Sequence, residues 1–154
     1  MNSETLSTIH SSALWSEILH TCGSFNLRKA ARVVTQLYDD ILQPTGLRST
    51  QVVLLVAMAA EGDMSVSRLA RQLVMSPSTL SRTLHLLERH GLIESSPSGK
   101  RGKLVRLTAT GEQALLAAAP YWQKAQETFV ALVGAAAWAD LNARLASTVT
   151  ATRK

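Results

Sequence analysis

A mainly α chain carrying one small β element is what this sequence predicts, and three observations predict it. Apolar residues recur at helical spacing through most of the 154 residues. Breaks fall at a few Gly, Pro and Ser positions with the chemistry of helix starts and stops. One short basic stretch near the middle reads as two strands around a turn.

Taken in order, residues 1–11 are polar and read as a loose terminus. Ser12 can cap a short helix over 12–19, with Leu14, Trp15 and Ile18 on its apolar side, and Cys22-Gly23-Ser24 breaks it. A longer helix is predicted over 25–42, its stripe made by Leu27, Ala30 or Ala31, Val34, Leu37 or Tyr38, and Ile41. Gln43-Pro44-Thr45-Gly46 ends it with two breakers. Thr50 is expected to cap the next helix, whose run over 52–60 is apolar nearly all round, the pattern of a helix sandwiched between layers.

Residues 62–111 hold the organising pattern: helix, tight turn, helix, basic hairpin. Ser65 can cap a helix with Val66, Leu69, Ala70 and Leu73 at helical spacing, and Val74 and Met75 form the turn. Ser76 before Pro77 is a strong helix start, because the hydroxyl accepts an orphan amide and proline has none to satisfy. Leu80, Leu84 and Leu87 share one face of this second helix, and Gly91 is its left-handed stop. The opposite face shows Ser78, Thr79, Ser81, Arg82 and His85, side chains suited to base edges and phosphates. Strands follow over 92–96 and 103–108, around the turn Pro97-Ser98-Gly99-Lys100-Arg101-Gly102.

Charge adds weight to this pattern. Arg68, Arg71, Arg82, Arg89, Lys100, Arg101, Lys103 and Arg106 stand in this window against Asp63, Glu88 and Glu94, which accounts for the whole net charge of +5. A charge run is ordinarily a solvated face. Its coincidence with a helix-turn-helix and a hairpin favours double-stranded DNA as partner, read by a winged helix-turn-helix. Ser76, Pro77, Ser78, Thr79, Ser81, Arg82 and His85 would lie in the major groove, and the wing residues Lys100, Arg101 and Lys103 would reach phosphates or the adjacent minor groove. Arg82 can instead spend its charge on a surface ion pair with Glu88. Ser65 and Ser76 are caps first, although a capped helix N-terminus also holds phosphate.

After the wing, Thr110 begins a long helix with Leu115, Ala118, Trp122, Ala125, Phe129 and Leu132 at alternating spacings of 3 and 4, a coiled-coil-like seam. Pro120 inside it predicts a bend, Gly134 ends it, and a last helix carries Trp138, Leu141, Leu145 and Val149. The terminal helices present more apolar surface than a lobe of this size can cover, which predicts a homodimer. The organisation is therefore N-terminal dimerisation helices over 1–46, a DNA-binding lobe over 47–108 and C-terminal dimerisation helices over 109–154.

Leu69-Ala70-Arg71-Gln72-Leu73, then Ser76-Pro77-Ser78-Thr79-Leu80-Ser81-Arg82-Thr83-Leu84, then Leu87-Glu88-Arg89-His90-Gly91-Leu92-Ile93-Glu94 resemble the MarR family of bacterial winged-helix regulators. The wing over 96–108, Thr110-Gly111 and the stretch Asn26-Leu27-Arg28-Lys29-Ala30-Ala31-Arg32 continue the likeness, which spans roughly 22–145. The wing tip departs from the family pattern: Gly99-Lys100 precedes Arg101 where the family carries an Asp-Arg pair, so an acid to brace the arginine is missing. The resemblance implies a homodimer with intertwined terminal helices. It also implies a repressor released by a small amphipathic, often phenolic ligand bound where those helices meet the lobe. Phe25, Tyr121 and Trp122 are candidates to line such a cleft, although aromatics at helical spacing are more often plain core.

Other chemistries find less support. Peroxide-sensing members of that family carry a reactive cysteine near the first long helix, so redox sensing through Cys22 is an alternative; a free cysteine is more often merely buried. His10, His20, His85 and His90 are scattered, with no companions at metal-ligand spacing, so no metal or cofactor is expected. Ser98-Gly99-Lys100 lacks the second glycine and the Ser or Thr of a phosphate loop, and no nucleophile elbow is present, so no enzyme is expected. A winged helix used as a protein-interaction module would need an apolar patch on the second helix. No apolar run approaches the ~20 residues of a membrane span. Glu4 stands where a signal peptide wants positive charge, and one cysteine excludes an internal disulfide framework; a cytoplasmic protein with no membrane partner is expected.

Overall fold

The computed structural model describes residues 3–98 and 102–152, with side chains from residue 12 onward. Seven α-helices and a three-stranded sheet are found among them. The chain divides into two compact units, Met1–Gln36 and Leu37–Lys154.

The first unit is built from α1 (Ser3–Thr21) and the start of α2 (Gly23–Leu42). Helix α1 begins far earlier than the loose terminus and the Ser12 start expected from polarity. No Gly or Pro interrupts residues 3–21, so nothing in the backbone stops the helix. The break at 22–24 shrinks to Cys22 alone: its amide bonds the Ile18 carbonyl at 3.0 Å, and its own carbonyl takes the Asn26 amide at 3.0 Å. The Asn26 side chain adds bonds to the His20 and Cys22 carbonyls at 2.9 and 3.1 Å, bridging the junction. Leu14, Trp15, Ile18, Leu19, Phe25, Leu27 and Val33 are all exposed.

The second unit holds the end of α2, a 3-10 turn (Gln43–Thr45) and α3 (Ser49–Glu61). Thr50 does not cap α3. Asp39, ten residues upstream, does: its Oδ1 accepts from the Ser49 amide at 2.7 Å and its Oδ2 from Arg48 Nη1 at 3.1 Å, while Gln51 Oε1 accepts from the Arg48 amide. A carboxylate at a helix N-terminus also complements the helix dipole. Helix α3 packs against α6 (Ala109–Val133) and the sheet and buries Val52, Leu54, Leu55, Ala57 and Met58. Val53 and Val56 stay about half exposed, so the sandwich covers only part of it.

The sheet is β1 (Met64–Ser65), β2 (Ile93–Ser98) and β3 (Gly102–Leu107), antiparallel in the order β1-β3-β2. Strand β1 is absent from the sequence expectation, since two residues cannot show an alternating pattern. Pro97 and Ser98, expected in the turn, pair with Lys103 and Gly102 and extend the hairpin. Between β1 and β2 run α4 (Val66–Gln72) and α5 (Pro77–Arg89). Their inner faces, with Leu69, Leu80, Leu84 and Leu87, close over Met58, Met64, Ile93 and Val105. Each such side chain contributes about 1.5–3 kcal/mol by leaving water. Val74 turns the chain between the two helices at φ 52°, a backbone region costly for a β-branched residue.

Helix α6 begins at Ala109, one residue before the expected start at Thr110, and Thr108 caps it, its Oγ1 accepting from the Gly111 amide at 3.0 Å. The helix runs through Pro120 as one element, then Gly134 at φ 91° admits α7 (Ala135–Thr152), turned 103° from it. Within the predicted seam Ala118, Ala125 and Phe129 are buried, whereas Trp122 and Leu132 are 45% and 74% exposed, so this seam is only half used inside the chain. Tyr38 donates to Gln126 Oε1 at 2.6 Å, and its ring lies by Phe129, which meets Trp138 edge-on at 5.0 Å. Among the described residues no single helix is long and apolar enough to cross a membrane.

Candidate nucleic-acid interface

Helix α5 owes its position to its two faces. Leu80, Leu84 and Leu87 anchor it in the core, so Ser78, Arg82, His85 and Arg89, at intervals of 4, 3 and 4, must form a stripe on the opposite side. All four are exposed, as are Ser76, Pro77, Thr79 and Ser81. Two successive caps fix the motif. Ser65 Oγ accepts from the Arg68 amide and Ser76 Oγ from the Thr79 amide, each at 3.2 Å. The Ser76 hydroxyl also meets Thr79 Oγ1 at 2.8 Å and Ser78 Oγ at 3.2 Å, a small hydroxyl cluster at the start of α5.

The basic side chains separate into bound and unbound charges. Arg68 pairs with Glu61, Arg106 with Glu94 at 2.5 Å, and Lys103 with Glu88 at 3.3 Å. Among the described residues Arg71, Arg82 and Arg89 make no ion pair, so the pairing of Arg82 with Glu88 weighed from sequence does not form. Glu88 faces the wing instead: Lys103 and the Ser95 hydroxyl occupy its two oxygens. Lys103 therefore lies back against α5. Lys100 and Arg101, the other expected wing contacts, fall outside the described residues.

A groove of about 380 Å³ opens between α4, α5 and the wing, and its lining includes Ser67, Ser81, His85, Glu88 and Lys103. Ser67 and Glu88 were not expected there. Ser67 lies in the first turn of α4, which no base-reading pattern marks, and Glu88 carries the wrong sign for a phosphate contact. The ligand-cleft and redox candidates are not among the residues lining this groove. Phe25, Tyr121 and Trp122 each present an exposed ring. Cys22 is partly buried at the α1–α2 junction. Helix α5 adds no exposed large apolar side chain, which argues against a protein-interaction module.

Two carboxyls are held below their ordinary values. The Ser95 hydroxyl lowers Glu88 most, burial opposes it, and Lys103 and His85 add to the lowering. Burial pushes Asp39 up, but the Ser49 amide and Arg48 together outweigh it. Both folded pKa values lie below the unfolded ones. Their stabilisation is full above the ordinary values of 3.8 and 4.5 and is lost as pH falls through the folded values. The urea midpoint is expected to fall between pH 6 and roughly pH 3. Asp39→Asn should flatten that decline, and an unchanged acid limb in this variant would show that Asp39 does not contribute.

Known proteins match this chain along the same elements. The profile described as the MarR family matches residues 45–102, from the 3-10 turn to the start of β3. The HTH-type transcriptional regulator YwoH of Bacillus subtilis, itself uncharacterised, is 30% identical over 88 residues; the match covers 56% of this chain and 64% of that protein's length. The crystal structure of the M. tuberculosis transcriptional regulator MosR superposes with a TM-score of 0.77 at 32% identity, covering 86% of this chain and 96% of that one. MosR in complex with DNA gives 0.74 at 33%, covering 86% and 99%. Matched by the family profile across its capped helices and by a relative a third identical over almost that relative's whole length, the chain belongs to the MarR family of transcriptional regulators, which are not enzymes.

Proposed function

We propose that this chain is a sequence-specific regulator of double-stranded DNA that binds a palindromic operator as a homodimer. One observation carries the reading: α5 turns Arg82, which makes no ion pair among the described residues, outward from a leucine-anchored face, flanked by Ser78, Ser81 and His85. The MosR complex supports it, since a relative of this similarity binds DNA. Residues 47–108 would read DNA, and the segments 1–46 and 109–154 would join the copies. The apolar surface of the terminal helices supports pairing: Leu14, Trp15, Leu19, Leu116, Trp122 and Leu132 are all exposed in the single chain. Two copies would read half-sites about one helical turn, roughly 10 base pairs, apart.

The regulator acts as a repressor, released by a small amphipathic or phenolic ligand. Phe25 in the first unit and Tyr121 and Trp122 in the second, each with an exposed ring, are the residues proposed to contact it. Such a ligand acts only by preferring one spacing of the two reading helices over another.

The test is to sequence the genomic fragments that the pure protein retains and footprint the best of them, with light scattering for the mass. The expected result is one inverted repeat, a dimer, and affinity falling ~10³–10⁵-fold between 50 and 200 mM salt. A monomer, or tight binding indifferent to both sequence and salt, overturns the reading.

A further inference from the structure

A selective DNA reader must hold back the sequence-independent attraction of its own cations without weakening its grip on base edges. We propose that Glu88 does this by masking the Lys103 charge in the free protein, so that Lys103 is released to a phosphate only at a correctly engaged site. The inference rests on the DNA-reading role proposed above and assigns Glu88 as a positioning residue within it.

Three elements meet at this carboxylate. Glu88 sits in the last turns of α5, one oxygen accepting from Ser95 of β2 and the other from Lys103 of β3 at 3.3 Å. Ser95 and Lys103 flank the ladder at the pairs Ser95↔Val105 and Pro97↔Lys103, so one side chain spans the helix and both wing strands. The same carboxylate lines the groove shared with Ser81 and His85, which puts an acid on the side proposed to face DNA. Glu88 is one-third exposed and Lys103 about half, so solvent and phosphate can both reach the pair. A phosphate arriving without base contacts must displace Glu88 from Lys103 with nothing in return. One arriving with Ser81, Arg82 and His85 engaged has their contacts to offset that exchange.

Glu88→Gln tests this, because an amide oxygen still accepts from Ser95 while the negative charge is gone. Binding to the retained operator and to random-sequence duplex is measured by fluorescence anisotropy across the salt range. For the variant, random duplex is expected to bind more tightly, with a salt slope steeper by about 0.9 per subunit. The ratio of specific to random affinity should fall roughly 2- to 30-fold, the span of one exposed ion pair in each of two subunits. Adding Lys103→Gln to this variant should return the slope to its original value, which a merely structural brace would not do. An unchanged slope in Glu88→Gln, or a steepening that survives the double substitution, overturns the masking role. A native chain with no preferred site overturns the DNA-reading proposal itself, and this one with it.

Discussion

Gly111→Ala is expected to destabilise the protein by about 3 kcal/mol, the upper end of what overpacking a close contact costs. The direction is informative, because at an ordinary helical position alanine gains ~1 kcal/mol over glycine. Gly111 is buried in the first turn of α6, where a β-carbon would drive into the backbone carbonyl of Leu92 and come within 2.8 Å of Leu107 Cδ1. Neither side can yield cheaply. The Leu92 carbonyl accepts from the Thr108 amide at 3.1 Å, and Thr108 Oγ1 both donates to the Gly91 carbonyl at 2.6 Å and accepts from the Gly111 amide. Moving α6 away therefore breaks its cap, worth about another 1 kcal/mol, and separates it from the corner where α5 passes into β2. For a chain of this size the loss lowers the thermal midpoint by roughly 6–12 °C. Calorimetry of the two proteins at one concentration checks it, and a midpoint equal to or above the native one would mean the docking is not close.

What could be read in advance divides along the range of the interactions. Caps at Ser65 and Ser76, the three leucines of α5 and the stop at Gly91 are visible because cause and effect lie within one or two turns of chain. The cap of α3 is not, since Asp39 reaches it across the 3-10 turn from another helix. Strand β1 exists only because β3 lies beside it, with Met64 opposite Val105. The seam on α6 shows the other limit: spacing announces an apolar stripe but not its partner, and Leu132 faces outward while Phe129, three residues earlier, is buried. In the candidate interface the exposed face of α5 follows from helical periodicity alone. The partition of its cations does not, because the pairing of Lys103 with Glu88 bridges fifteen residues and depends on how the hairpin folds back.

That partition singles out Arg82 for the largest functional effect. The hydroxyls of Ser76, Ser78 and Thr79 bond to one another, and Lys103 is held by Glu88, whereas Arg82 is exposed and makes no ion pair among the described residues. A guanidinium in the major groove matches guanine with two parallel bonds, worth about 1–3 kcal/mol of discrimination. Two copies double this, so Arg82→Ala is expected to weaken binding to the preferred operator by roughly 30- to 10⁴-fold. Binding to random duplex should drop far less, since one charge per subunit is only a small part of the phosphate attraction. Arg82→Lys separates base reading from simple charge: lysine keeps the cation but not the planar fork. The lysine variant should hold random duplex nearly as well as the native chain while losing most of its preference for the operator. Full recovery of that preference by lysine would place Arg82 on a phosphate and leave the reading of bases to Ser81 and His85.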